Sequence, residues 1–452
     1  MRILLWHGYL LSGSGSNIYA ANVTRAWRSA GHDVVLMCQE RDVDRFDFID
    51  FDGVADRATA HALGADAKPG RCSLLRPPIG EILPVYVHDE YEGFIAKRFV
   101  DLTDDELTHY TDTNVEAMTA VIEEMRPDAI VTGHEVMGPY IAKLACEATG
   151  TDYIAKLHGS ALEYAVRIQD RYLGFATEGL GAAARVVGGS RYMVEAAAAI
   201  VPGRWRDSAR VVNPGCDVDL FRPADKRGSE RPVVAFVGKL IVSKGVHHLL
   251  AAVGLTRAGP MEVVIVGFGG FEKELKSLAG AFADGDAGHA LAVAETGDST
   301  PLEALATFLV ADPGPGFWRR QAEVPVTFAG RLEHDPLSER LPYFDVVVVP
   351  SVIPEAFGMV AAEAAACGVL PVVPGHSGIG ELGAALEEHL GLPGLLTFDP
   401  ADPIEGIAAA IDHVLNLGFE RRRELGLGAA ELARSRWSWD TVAEGLLAAA
   451  TD

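Results

Sequence analysis

Short apolar, β-branched runs alternate with longer amphipathic stretches along this chain, and that alternation admits little besides parallel βαβ units. The runs fall at residues 2–6, 33–38, 128–132, 153–157 and 185–188, and the series restarts at 233–237, 262–266, 326–328, 345–349 and 370–373. Each is apolar at nearly every position, as a strand must be when helices cover both faces of its sheet. A stretch rich in Pro, Gly and charge, from Asn213 to Pro232, separates the two series and reads as an exposed linker. The expected architecture is therefore α/β with two Rossmann-like domains, residues 1–215 and 230–435. The tail, 436–452, is expected to cross back onto the first domain. A chain of 452 residues is also too long for one ordinary domain.

Two segments fit this scheme poorly. Residues 41–112 hold Pro-rich and acidic stretches with one strand pair around 82–87, and residues 280–324 occupy a place where a short connection would suffice. Long insertions of this kind are expected to be lids or disordered loops.

The formal net charge of −24 disfavours nucleic acid and anionic membrane as standing partners. Five scattered cysteines, Cys38, Cys72, Cys146, Cys216 and Cys367, match no metal-pair spacing and suit reduced thiols in a cytosolic compartment. The first residues reach Gly8 too soon for a signal-peptide core and read as a buried strand. No apolar run approaches the roughly 20 residues that span a bilayer. A cytoplasmic protein is the expectation.

The stretch carrying most chemical information runs from Pro350 to Glu363. An apolar strand ends, a loop follows, and a helix is expected to begin near Phe357 or Gly358. Ligands of open α/β sheets bind at the carboxyl ends of strands. A helix start offers free N–H groups and a positive dipole to a diphosphate, and Gly358 allows close approach of backbone to ligand. Glu363 then stands alone in an apolar helix, where a carboxylate is costly unless it meets a donor such as a ribose diol, or else caps or pairs with something local.

Glu355 and Glu363, with Phe357-Gly358 between them, resemble the paired-glutamate motif of the family 4 retaining glycosyltransferases of GT-B fold. The segment from Phe236 through Gly238-Lys239-Leu240 to Lys244-Gly245 is similar to that family's diphosphate-binding segment. Pro214-Gly215-Cys216-Asp217 with Phe221 and Pro223 resembles its linker signature, and Ser377-Gly378-Ile379-Gly380-Glu381 its loop after the sixth strand. The four occur in the family's order at domain-scale spacing.

The resemblance implies a donor site in the C-terminal domain and an acceptor site in the N-terminal one, facing each other across a cleft. Glu355 would hold hydroxyls of the donor sugar and Glu363 the donor ribose. Amides around Phe357, Gly358, Met359 and Val360 would hold sugar and distal phosphate, and Lys239 and Lys244 would neutralise the diphosphate beside Gly238. Base recognition would fall near Arg331 and Leu332. Lysine at 239 replaces the family's usual arginine, keeping charge and losing the bidentate fork; Gly380 replaces a frequent proline.

In the N-terminal half His158 follows a strand and precedes Gly159, and the resemblance makes it a donor-sugar contact at the reacting centre. His134 and Glu135 hold a similar position toward the acceptor. The turn Gly13-Ser14-Gly15-Ser16-Asn17, ahead of a helix expected from about Ile18, would line the cleft near the donor phosphate.

The implied reaction moves a hexosyl group from a nucleoside-diphosphate sugar to a hydroxyl of a small soluble acceptor, with retention by front-face substitution. Two lysines and a helix start would stabilise the departing diphosphate in place of a divalent metal, so neither metal nor resident cofactor is expected. Alternatives from other classes stay open. Gly13-x-Gly15 and Gly267-Phe268-Gly269-Gly270 imitate dinucleotide fingerprints of an NAD(P)-dependent oxidoreductase, although Ile18 stands where the first needs its third glycine. A sugar-nucleotide epimerase or phosphorylase would share the scaffold, and a two-lobed sugar-nucleotide binder would need no catalysis.

Overall fold

The computed structural model describes residues 1–451 apart from 67, 88–90, 227 and 297–301. Thus 227 of the linker, and 67, 88–90 and 297–301 of the two poorly fitting segments, lie outside the described residues. The chain forms two compact units, Met1–Pro214 with the C-terminal stretch from Trp439, and Gly215–Ser438.

The first unit is built on strands β1 (Arg2–Trp6), β2 (Asp33–Met37), β3 (Phe51–Val54) and β4 (Cys72–Arg76), followed by the pair β5 (Ile82–Val85) and β6 (Ile95–Arg98). The series continues with β7 (Ala129–Gly133), β8 (Ile154–Lys156), β9 (Arg185–Gly188) and β10 (Arg210–Val211). Eight of them make one sheet in the order β10-β9-β8-β7-β1-β2-β4-β3. Every adjacent pair is parallel.

Segment 41–112 is thus no simple insertion, since it supplies two strands of the main sheet. Sequence alone hid β3 because it is an edge strand whose residues are largely exposed, so it lacks the two-sided apolar signature. The expected pair around 82–87 is β5 with β6, and it too is parallel.

The second unit carries β11 (Val233–Val237), β12 (Glu262–Val266), β13 (Val326–Gly330), β14 (Val346–Val348), β15 (Leu370–Pro374) and β16 (Thr397–Phe398). Their order is β13-β12-β11-β14-β15-β16, again with every pairing parallel. The segment 280–324 folds as helices, Ala287–Thr296, Glu303–Val310 and Pro315–Glu323 after Glu272–Asp284. Phe282, Leu305 and Phe317 are buried there, so apolar packing holds this region down and it is not a plain loop.

The stretch after Asn213 also departs from the exposed linker expected. Cys216, Val218 and Phe221 lie in the second unit's core, and Cys216 N–H donates to the Trp437 carbonyl at 2.8 Å. The last helix, Trp439–Thr451, belongs to the first unit, where it lies against the helix Gly15–Ser29. Trp27 Nε1 donates to the Ala443 carbonyl at 2.9 Å, and the rings of Tyr19 and Trp439 meet edge to face at 5.6 Å.

All five cysteines are buried and none forms a disulfide. Among the described residues no helix is long and apolar enough to cross a membrane.

Candidate functional site

In the second unit, the loops that leave β11, β12, β13 and β14 converge by close backbone contact, and glycines make that contact possible. A Cβ on Gly267 would stand 1.8 Å from the Gly238 carbonyl oxygen, and one on Gly269 would stand 2.2 Å from that of Leu240. Leu240 N–H donates to the Phe268 carbonyl at 2.8 Å. Gly267 and Gly269 are therefore explained by loop-on-loop packing, which weakens the case for reading this run as a dinucleotide fingerprint.

The same device joins the next two loops. Gly245, at φ 69°, would place a Cβ 1.9 Å from the Pro350 carbonyl oxygen. Val352 N–H donates to the Ser243 carbonyl at 2.9 Å. This register carries Lys244 to Glu355, with Nζ 2.7 Å from Oε1. Ser351 Oγ also donates to Glu355 Oε1, while Glu355 N–H donates to Ser377 Oγ at 3.0 Å. Lys239, by contrast, is exposed, and its ammonium has no partner among the described residues.

The helix after β14 spans Met359–Ala366, one or two residues later than expected, because Gly358 at φ 99° turns the chain into it. A Cβ on Gly358 would meet the Ile379 side chain at 2.6 Å. Among the described residues no side chain caps this helix, so the N–H groups of Met359 and Val360 at its half-buried start are free donors. Phe357 supplies no side-chain contact to a ligand, since it is 2% exposed and packs edge to face on Trp437 at 5.8 Å.

One turn along, Glu363 is 8% exposed, and burial among apolar groups pushes its carboxyl up to about 8. Its nearest ionic neighbour is His334, with Nε2 3.8 Å from Oε1, too far for a hydrogen bond. Apart from this long contact with His334, no local cap or hydrogen bond accounts for Glu363 among the described residues. Beside His334, Arg331 is exposed, pairs with Glu333 at 2.7 Å and lies 4.8 Å over the Phe268 ring, while Leu332 is half-buried against the core. The segment Ser377–Leu390 begins as helix at its first residue, so the expected loop after the sixth strand is a helical turn. Gly380 is required there, because a Cβ would come within 2.8 Å of the Gly375 backbone.

In the first unit, the helix Gly15–Ser29 starts three residues earlier than expected, because Ser14 Oγ accepts from Asn17 N–H and caps it. Gly15 is thus helical, and Gly13, at φ 92°, turns the chain with open space around it. Ser14 and Ser16 line a concavity of about 410 Å³ together with Tyr9, Asn17, Tyr86, Tyr91, His134 and Ser160, among others.

His134 is 1% exposed at φ 70°, a backbone conformation a non-glycine residue rarely holds without compensation. Its Nδ1 lies 3.4 Å from Ser160 Oγ, its Nε2 has no partner among the described residues, and burial drives its pKa well below the ordinary value. The His158 ring stands 4.8 Å from that of His134 and 5.2 Å from that of Tyr19.

Glu135 departs from its expected role. It is fully buried, and its Oε1 accepts from His158 N–H at 3.1 Å and Gly159 N–H at 2.8 Å. It therefore holds the His158 turn from beneath and presents no carboxylate to an acceptor.

Sequence reasoning passed over Lys156, a lone cation in β8. It is 2% exposed, its Nζ donates to the Val212 carbonyl at 2.9 Å, and burial lowers its pKa to about 7 against the opposing pull of Glu135. A charged residue inside an otherwise apolar strand was the available signal. Tyr9 and Tyr86 were also missed, and their relevance follows only from folding.

The sequence matches the Glycosyl transferase 4-like domain over residues 14–215 and the Glycosyl transferases group 1 domain over residues 318–431. The chain is a group-4-type glycosyltransferase. D-inositol 3-phosphate glycosyltransferases of Mycobacterium tuberculosis and Mycobacterium bovis are 31% identical to it over 252 residues, 54% of this chain and 44% of theirs. The match thus spans less than half the length of those relatives.

Among solved structures, sucrose-phosphate synthase from Thermosynechococcus elongatus superposes with TM-score 0.57 at 18% identity, covering 99% of this chain and 97% of that one. The Anabaena protein HepE in complex with UDP gives 0.60 at 16% identity and 99% coverage of both. At such identities these structures establish the GT-B fold of this glycosyltransferase. The matched segments contain Gly15, Ser16, His134, Glu135 and His158, and Arg331 through Glu363, but not Gly13, Gly238, Lys239 or Lys244.

Proposed function

We propose that this glycosyltransferase moves a hexosyl group from a nucleoside-diphosphate sugar to a hydroxyl of a small soluble acceptor, with retention and without a divalent metal, in the cytoplasm. The observation that carries the donor reading is the helix Met359–Ala366. Its first turn offers free N–H groups, and four residues on stands a carboxylate with no hydrogen-bond partner among the described residues. That separation is about 6 Å along the axis, the scale that divides a diphosphate from a ribose diol.

In this reading the Met359 and Val360 amides take the distal phosphate and Glu363 accepts from the ribose hydroxyls. Lys239 and Lys244 supply positive charge to the leaving diphosphate, whose charge grows as the glycosidic bond breaks. Glu355 holds sugar hydroxyls while Lys244 and Ser351 fix its carboxylate. His158, set by Glu135 beneath its turn, stabilises the reacting centre, and the acceptor enters the first unit near His134. With Glu355 engaged by Lys244, front-face substitution is favoured over a covalent glycosyl intermediate. The departing phosphate then helps to take the acceptor's proton.

UDP sugars are the first donors to try, because the similarly folded HepE has been captured with UDP and with UDP-glucose. A thermal-shift panel of uridine, guanosine and adenosine diphosphates tests the site, since a ligand that binds only the native state raises Tm by mass action. Stabilisation by one nucleotide series, lost in Glu363→Ala, is expected; stabilisation by NAD(P) alone would overturn the reading. An NMR time course showing a product of inverted configuration would refute retention, and turnover abolished by EDTA would refute metal independence.

A further inference from the structure

The concavity in the first unit is aromatic, and among the described residues its lining carries no charge. Its lining is Tyr, Ser, Asn, Val and His, with no Lys, Arg, Asp or Glu among the described residues. Tyr9, Tyr86 and His134 form one aromatic corner, with ring centroids 5.6 Å apart for the tyrosines and 5.1 and 4.9 Å from each to the histidine. His134 adds a buried ring nitrogen without a partner, and burial keeps its ring uncharged at neutral pH.

We propose that this pocket takes an uncharged polyhydroxylated acceptor with one apolar face, such as a pyranoside, and selects against a phosphorylated one. The proposal rests on the transferase reading and narrows it. A phosphomonoester carries about −1.5 to −2 charge near pH 7. Sinking that charge into a neutral aromatic pocket requires Arg or Lys partners, which this lining does not offer. The start of the helix Gly15–Ser29 contributes only about half a positive charge, and Asn17 N–H is already taken by Ser14 Oγ. A pyranoside suits the same surface, because its axial C–H face stacks on tyrosine rings. Its hydroxyls meet Ser16, Ser160 and the free His134 nitrogen.

Saturation-transfer NMR on the full chain tests binding apart from catalysis, using phenyl β-D-glucopyranoside and methyl α-D-glucopyranoside against glucose 6-phosphate and myo-inositol 1-phosphate. The neutral glycosides are expected to bind and the phosphates to fail. Tyr86→Ala should weaken the phenyl glycoside by about tenfold, as loss of one stacking partner implies. Should that variant misfold, Val87→Lys serves, since Val87 is 53% exposed on the pocket lining. A cation there should admit the phosphates that the wild type rejects. Phosphates binding better than neutral glycosides in the wild type, or neutral binding indifferent to both variants, would overturn the proposal.

The nucleotide thermal shift separates the two readings. If UDP binds but no neutral glycoside does, the pocket assignment fails and the donor site stands. If neutral glycosides bind but no nucleotide does, the nucleotide-sugar donor reading fails and a carbohydrate pocket remains.

Discussion

Lys244 Nζ lies 2.7 Å from Glu355 Oε1, although 111 residues separate them in sequence. The pair exists because Gly245 lets its loop lie against Pro350. A diphosphate arriving at Lys244 competes with Glu355 for the ammonium, so the uncommitted cation in this unit's set is Lys239. Lys244→Ala is expected to lower kcat/KM by roughly 100-fold or more, in line with loss of a charged group that acts mainly in the transition state. Lys239→Ala should act mainly on KM for the donor. Steady-state kinetics with the donor varied checks both, and equal effects on KM alone would deny Lys244 its role.

Glu363 sets a pH dependence of donor binding. Its folded carboxyl titrates near 8, and ribose hydroxyls donate to the charged form. Affinity for a nucleoside diphosphate should therefore rise about tenfold between pH 7 and 9, a range above the phosphate ionisation near 6. Glu363→Gln should bind more weakly and without that rise. Calorimetry across this range checks it; a wild type with flat affinity would exclude the ribose contact.

The same residue acts oppositely on stability. Its pKa is raised, so the folded state holds a proton that the unfolded chain has released, and stability falls as pH rises from about 4.5 to 8. Glu363→Gln should be more stable than wild type at pH 8, by on the order of 1–4 kcal/mol, and nearly equal to it at pH 4.5. Urea unfolding of the ligand-free protein at the two values measures the difference.

Lys156 gives the reverse slope. Burial lowers its pKa to about 7 from 10.5, so between those values the unfolded chain binds a proton that the folded chain lacks. Stability contributed by this site rises with pH over that window. Lys156→Met should flatten the rise, gaining stability at pH 6 relative to pH 10, again by on the order of 1–4 kcal/mol. An unchanged slope would mean the ammonium is charged and solvated in the fold.

Two glycines with positive φ should respond very differently to alanine. Gly245 has a carbonyl 1.9 Å from where its Cβ would go, and Gly13 has nothing within 4 Å. Gly245→Ala is expected to cost about 2–4 kcal/mol and to weaken donor binding through Lys244, while Gly13→Ala pays only its backbone conformation, roughly 1 kcal/mol. Melting temperatures of the two variants, with and without UDP, make the comparison.

Much of this molecule was legible in one dimension. Ten apolar runs located ten strands of the two sheets, because a strand covered on both faces must be apolar at nearly every residue; the interior strand Cys72–Arg76 escaped, its run broken by Ser73 and Arg76. The spacing of Glu355, Gly358 and Glu363 marked a strand end, a turn into a helix and a carboxylate one turn on, all local relationships. Edge strands such as Phe51–Val54 stayed hidden, since solvent on one side erases the pattern.

What residue order could not decide were the approaches between distant segments. That Gly267 and Gly269 serve loop packing, that Gly380 must lack a side chain, and that Glu135 holds the His158 turn each depend on atoms brought within a few ångströms by folding. The absence of charge among the described residues lining the pocket around His134 is likewise a property of which side chains share one cavity, drawn from four separate stretches of chain. Sequence determines residue chemistry and local periodicity; burial and charge balance emerge only when the sheets have closed over them.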